Sequence, residues 1–249
     1  MIDVHTHIGQ FYELNVSAKM ISEFMQKMQV DYYLTSSTSI TEGNYDKVLH
    51  ELHEVVSLSD GKALPVLWIT PQMLRDDKEY VFLNSELKWY CIKIHPQLDP
   101  NFWQVENEVM NYVISIAQDL KIPICIHTGE KNNCESLKFL NIINNHPTQY
   151  FILAHGRPTN EAITMMKKFK NTFVDTAFMS VDTILSFVNE ELTDKILWGS
   201  DSCIIKHYYP RINISNIYFN KVETLKRLTD TETFNKISHQ NAKNLFKLS

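Results

Sequence analysis

Nowhere does this sequence hold an apolar run approaching the roughly 20 residues needed to span a bilayer, so no membrane partner is expected. Positive charge is also in short supply. The 24 Lys and Arg stand against 29 Asp and Glu, a formal net charge of -5. That balance gives no overall attraction to a phosphate backbone, so nucleic acid is not an expected partner either. The four cysteines, Cys91, Cys125, Cys134 and Cys203, show no Cys-x-x-Cys spacing and read as reduced thiols of a cytoplasmic protein. No Gly-x-Gly-x-x-Gly turn follows the first strand-like run, which argues against a doubly wound open sheet. Low-complexity tracts, linkers and solenoid repeats are missing. The first chemical motif starts at Asp3, so no signal peptide is expected.

What is present suits a folded enzyme. Hydrophobic residues make up 44% and charged residues 21%, enough apolar material for a core and too little charge for a disordered chain. Short β-branched or aromatic runs alternate with longer amphipathic stretches, the pattern of βα units on a parallel sheet. Eight runs can be marked, at 1–5, 30–36, 64–70, 90–95, 124–127, 150–155, 172–176 and 196–201. Over 249 residues that leaves about 31 per unit, close to the length a βαβ crossover needs. The expected fold is α/β, a single (β/α)8 TIM barrel occupying 1–249 as one domain. Helices are expected after Ser17, over 18–29, and after Asn160, over 161–169. Pro65, Pro123 and Pro147 are expected at or before strand starts, where a missing N–H is cheap.

Five of the ten histidines, His5, His7, His95, His127 and His155, fall at the C-terminal ends of these runs, where TIM-barrel active sites lie. In Ile2-Asp3-Val4-His5-Thr6-His7, the strand period of two puts Asp3, His5 and His7 on one face. Two imidazoles then converge, and neutral imidazole is the commonest zinc ligand. Asp3 is expected to hold a ligating ring through its other N–H. The other run ends read Lys93-Ile94-His95-Pro96, Ile126-His127-Thr128-Gly129, Ala154-His155-Gly156-Arg157 and Gly199-Ser200-Asp201. Asp175 and Asp182 are expected to be capping or surface groups. His50, His53, His146, His207 and His239 are expected to be structural. Trp103, Tyr208 and Tyr209 are candidates for an aromatic pocket around Arg157.

With Ile237-Ser238-His239-Gln240-Asn241-Ala242-Lys243-Asn244-Leu245-Phe246 added, these motifs resemble the amidohydrolase superfamily along essentially the whole chain. The likeness is greatest to its amidohydrolase-related branch, which includes aminocarboxymuconate-semialdehyde decarboxylase. The resemblance implies one divalent metal, zinc first, on His5, His7, His127 and Asp201. It gives Asp201 and His155 the proton transfers, and Lys93, His95 and Arg157 are, on their own chemistry, the candidates to bind substrate. It implies hydrolysis of a small amide, ester or lactone by a metal-activated water, or non-oxidative decarboxylation of a small carboxylic acid on the same site. Lys93 occupies the position that carries a carboxylated, metal-bridging lysine in binuclear members, so two metals are the alternative. TatD-type and PHP-type phosphodiesterases also open with His-x-His, but TatD-type chains have an acidic fourth strand where this one has Lys93 and His95. That reading therefore ranks lower, as does a non-catalytic metal-binding barrel. The expected partner is a small-molecule substrate, and homo-oligomerisation is left open.

Overall fold

The structure is a computed structural model and describes residues 1–98, 103, 108–131 and 133–249. It is an α/β fold built on a curled nine-stranded sheet: β1 (Ile2–Phe11), β2 (Leu14–Val16), β3 (Tyr32–Ser37), β4 (Ala63–Trp68), β5 (Cys91–Ile94), β6 (Ile124–His127), β7 (Phe151–Ala154), β8 (Thr172–Asp175) and β9 (Ile196–Leu197). The strand order is β2-β1-β3-β4-β5-β6-β7-β8-β9. All pairings from β1 to β9 are parallel, and β2 alone is antiparallel, folded back on β1 with Gly9 opposite Val16. Every marked run holds a strand. The return strand β2 was not anticipated, and β1 runs on to Phe11 where the run was marked to His5.

Helices connect the strands, and their apolar faces cover the outside of the sheet. In Ala18–Lys27, Ser17 caps the N-terminus by accepting the Met20 amide (3.2 Å), and Ala18, Ile21 and Met25 are buried at the helical period. The expected cap at Asn160 is displaced: that helix runs Thr159–Lys168 with Pro158 before it and no side-chain cap. Pro65 lies inside β4, where its carbonyl accepts the Tyr90 amide (3.0 Å). Pro123 does directly precede β6.

Two apolar clusters form. The larger lies between sheet and helices. The smaller draws on each parallel strand, with Ile2 and Val4, Leu34, Val66, Cys91, Cys125, Ile152 and Leu197 buried in it and Phe173 packed against it. A cluster fed by strands from both ends of one sheet requires that sheet to curl on itself. Ala242 and Phe246 of the last helix join this cluster, and the Asn241 side-chain amide ties that helix to the carbonyls of Thr193 (2.7 Å) and Ile196 (2.8 Å). The two ends of the sheet meet directly, through Val4 N–H to Trp198 O (2.8 Å) and Asp201 N–H to His5 O (2.8 Å).

Strict alternation along β1 fails. The register against β3 shifts between Asp3 and Thr6, as at a β-bulge. Asp3 therefore does not join His5 and His7. Its Oδ1 accepts the amides of Ser200 (3.0 Å) and His5 (3.2 Å), and its charged neighbour is Lys221. No helix among the described residues is long and apolar enough to cross a membrane.

Candidate metal centre

All the nominated residues, His5, His7, Lys93, His95, His127, His155, Arg157 and Asp201, line one cavity of about 550 Å³ at the C-terminal ends of the strands. Within it His5 Nε2 lies 3.2 Å from His7 Nε2 and 3.9 Å from Asp201 Oδ2, and His7 Nε2 lies 3.5 Å from Asp201 Oδ1. Ligand atoms of His5, His155 and Asp201 also fall within 4.8 Å of one another. His127 is placed differently: its Nε2 meets Gln97 Oε1 at 2.9 Å, and its ring stacks on His95 with centroids 3.7 Å apart. His95 in turn stacks on Trp68, and its Nδ1 is buried without a hydrogen bond.

Asp175, expected to be a surface or capping group, is fully buried at the centre of this arrangement. Its Oδ1 accepts the amides of His155 (3.1 Å) and Ala177 (3.0 Å), and its Oδ2 meets His5 Nδ1 at 2.8 Å. It thus has the role expected of Asp3. The signal was available in the sequence, since Asp175 ends a strand-like run just as the histidines do. His155 needs the support, because its φ of 67° is in the left-handed region. Gly199 allows the close approach of β1 and β8: a Cβ there would lie 3.0 Å from His5 Cβ and 3.3 Å from Asp175 Cβ.

The hydrogen bonds fix the tautomers. A carbonyl can only accept, so His155 Nδ1, 3.1 Å from Ala177 O, carries the hydrogen and Nε2 keeps a lone pair. The Asp175 contact does the same for His5. Burial holds His5, His7, His127 and His155 well below the usual histidine range, and the Lys93 ammonium adds to this in each. His95 is pushed down to about 3 by the same causes. Burial also pushes the Asp201 carboxyl up to about 8, and its Oδ1 is buried without a hydrogen bond.

Neutral imidazoles with inward lone pairs beside a desolvated carboxyl oxygen are a nitrogen–oxygen donor set that could hold a divalent ion. The ion would supply the charge that Asp201 lacks, so these residues fit a metal. Lys93 is buried below them, its Nζ 3.7 Å from Cys125 Sγ. Arg157 donates its amide to Thr128 Oγ1 (2.9 Å) and lines the cavity wall with Tyr208 and Tyr209. Trp103 does not join them; it is buried in the larger core cluster.

Solved structures share this fold. An uncharacterized TIM-barrel protein from Bordetella bronchiseptica superposes with a TM-score of 0.71 at 15% identity, over 99% of this chain and 98% of that one. A probable 2-pyrone-4,6-dicarboxylic acid hydrolase from Acinetobacter baumannii gives 0.71 at 10% identity, over 99% of each chain. Dihydroorotase from Campylobacter jejuni gives 0.63 at 14% identity, over 100% of this chain and 83% of that one. At such identities the likeness concerns the fold alone. The chain belongs to the TatD related DNase family, whose model matches residues 2–247. The superfamily resemblance therefore holds, and the family within it is the one that the Lys93 and His95 argument ranked lower. No curated protein matches the chain.

Proposed function

We propose that this protein is a metal-dependent hydrolase of a small anionic amide, ester or lactone, working on one divalent ion, zinc first, in a closed eight-stranded barrel that spans the chain. The observation that carries it is the convergence of His5, His7, His155 and Asp201 above a buried Lys93. Barrel closure is supported by the hydrogen bonds from β1 to the segment following β9. His5, His7 and Asp201 would hold the ion, with His127 or His155 completing the set. A bound divalent ion supplies a polarised substrate oxygen and water of lowered pKa.

The side chains supply the rest. Asp201, beside the ion and the substrate cavity, would take and return a proton. The resting tautomer of His155 has a lone pair at Nε2, so it ligates or accepts a proton before it can donate one. Lys93 and Arg157, cations lining the cavity, orient a substrate carboxylate, and the aromatic wall of Trp68, Phe178 and Tyr208 limits water.

Phosphodiester hydrolysis is the second reading, favoured by the family match. The test is a panel on zinc-replete protein: lactones, aryl esters, aromatic carboxylic acids and bis-p-nitrophenyl phosphate. Metal-dependent turnover of the lactones or esters is expected. Turnover of the phosphodiester alone would reassign the protein to the second reading, and release of carbon dioxide from the acids would make it a decarboxylase.

A further inference from the structure

A second cavity, of about 300 Å³, lies beside the catalytic one, between the helices Ser202–Tyr208 and Ile214–Leu228. Its walls are mostly apolar, with Met179, Ile205, Ile212, Ile214 and Ile217 among them. Phe178 and Tyr209 line both cavities. Tyr209 and Ile212, in the connection between the two helices, are 53% and 44% exposed, which gives the cavity an entrance from solvent. Size and composition match a pocket for a small apolar ligand with few polar anchors.

Two polar groups in it are poorly satisfied. Ser202 is only 1% exposed, yet its Oγ makes no hydrogen bond, and a buried hydroxyl without a partner costs free energy that a ligand oxygen would recover. Lys221 is the other. An ammonium has three donors, and the one hydrogen bond it makes among the described residues goes to Thr176 O (2.6 Å). Its Nζ otherwise lies 5.2 Å from the centre of the Trp198 ring. Asp3 and Asp175 act on it electrostatically, and burial still outweighs them and holds its pKa down at about 8. A cation this poorly compensated at the wall of an apolar cavity favours an anionic head group.

We propose that this cavity is a separate binding site for a medium-chain carboxylate, its head group on Lys221 and Ser202 and its apolar chain against Ile205, Ile212, Ile214 and Ile217. Electrostatic complementarity selects the carboxylate over an alcohol of equal length, because only the anion compensates the ammonium. The site stands apart from the hydrolase reading, and its test needs neither turnover nor metal.

The probes are octanoate and octanol, titrated calorimetrically into the intact chain near pH 7. Octanoate is expected to bind one per chain with a Kd of about 1 mM or tighter, within the ligand-efficiency range for a molecule of this size, and at least about tenfold tighter than octanol. Ile217→Trp, which fills the cavity, should weaken octanoate at least tenfold, and Lys221→Met should abolish the preference for octanoate over octanol. Ile212→Asp, at an exposed position that folding should tolerate, places a negative charge at the entrance and should also weaken octanoate if the Trp variant fails to fold. No octanoate binding to the wild type, or unchanged binding in Ile212→Asp and in a folded Ile217→Trp, would overturn the site. Unchanged octanoate preference in Lys221→Met would overturn its anionic character.

Discussion

Replacing Asp175 with Asn tests whether the tautomer of His5 is set from β8. The Asp175 Oδ1 holds two backbone amides, of His155 (3.1 Å) and Ala177 (3.0 Å), while Oδ2 faces His5 Nδ1 at 2.8 Å. An Asn that keeps both amides on its carbonyl oxygen must turn its NH2 toward His5 Nδ1–H, so two donors oppose each other. The relief is for His5 to move its hydrogen to Nε2. That nitrogen, 3.2 Å from His7 Nε2, then has no lone pair for an ion. Loss of a partner that orients a ligating histidine costs about 10- to 100-fold in metal affinity, or about 1.4 to 2.7 kcal/mol. The metal-free fold should suffer less, because both amides stay bonded. Asp175→Ala, by contrast, orphans three buried donors at about 1–3 kcal/mol each. Zinc competition against a chromophoric chelator and urea unfolding of the metal-free forms measure the two quantities. An Asp175→Asn variant with wild-type zinc affinity would refute the tautomer argument.

Asp201→Asn should abolish metal-dependent turnover while leaving metal-free unfolding near that of the wild type, because the φ of 51° at this position is one that Asn tolerates; activity near the wild-type level would place the chemistry elsewhere. Lys93→Met keeps the buried stem and removes the charge, so it should raise KM for an anionic substrate while one metal per chain persists in elemental analysis. Two metals per wild-type chain, with one lost in the variant, would instead indicate a carboxylated Lys93. Lys221 carries a pH signature. Burial lowers its pKa from 10.5 to about 8 in the folded state, so between those values the unfolded chain binds more protons and stability should rise with pH. Urea unfolding from pH 8 to 10.5 should show that contribution in the wild type and lose it in Lys221→Met.

The parts of the site that could be read from the sequence are those that obey a local rule. His5, His7, Lys93, His95, His127, His155 and Asp201 stand at or just beyond the C-terminal ends of strand-like runs, and that position alone selects them. Asp175 satisfies the same rule, but an Asp that binds nearby amides reads as a cap. It does bind them, and only its second oxygen, on a residue 170 positions away, gives it a further role. Asp3 failed in the opposite direction. Period-two alternation places it with the histidines, but a register shift of a kind that carries no residue signature leaves its Oδ1 on the amides of Ser200 and His5. β2 was missed because three residues, Leu14–Val16, are too few for alternation to stand out. Lys93 and His95, where an acidic strand is expected, together with the negative net charge, point away from the family that the chain proves to belong to, despite the shared His-x-His opening. The same substitution bears on chemistry more than on ancestry. Lys93 is buried in the wall of the cavity that holds His5 and Asp201, and on the one-ion reading proposed above it would supply positive charge where a second ion would otherwise stand. The prediction for Lys93→Met therefore follows from where this residue lies in the cavity, whichever family pattern it departs from.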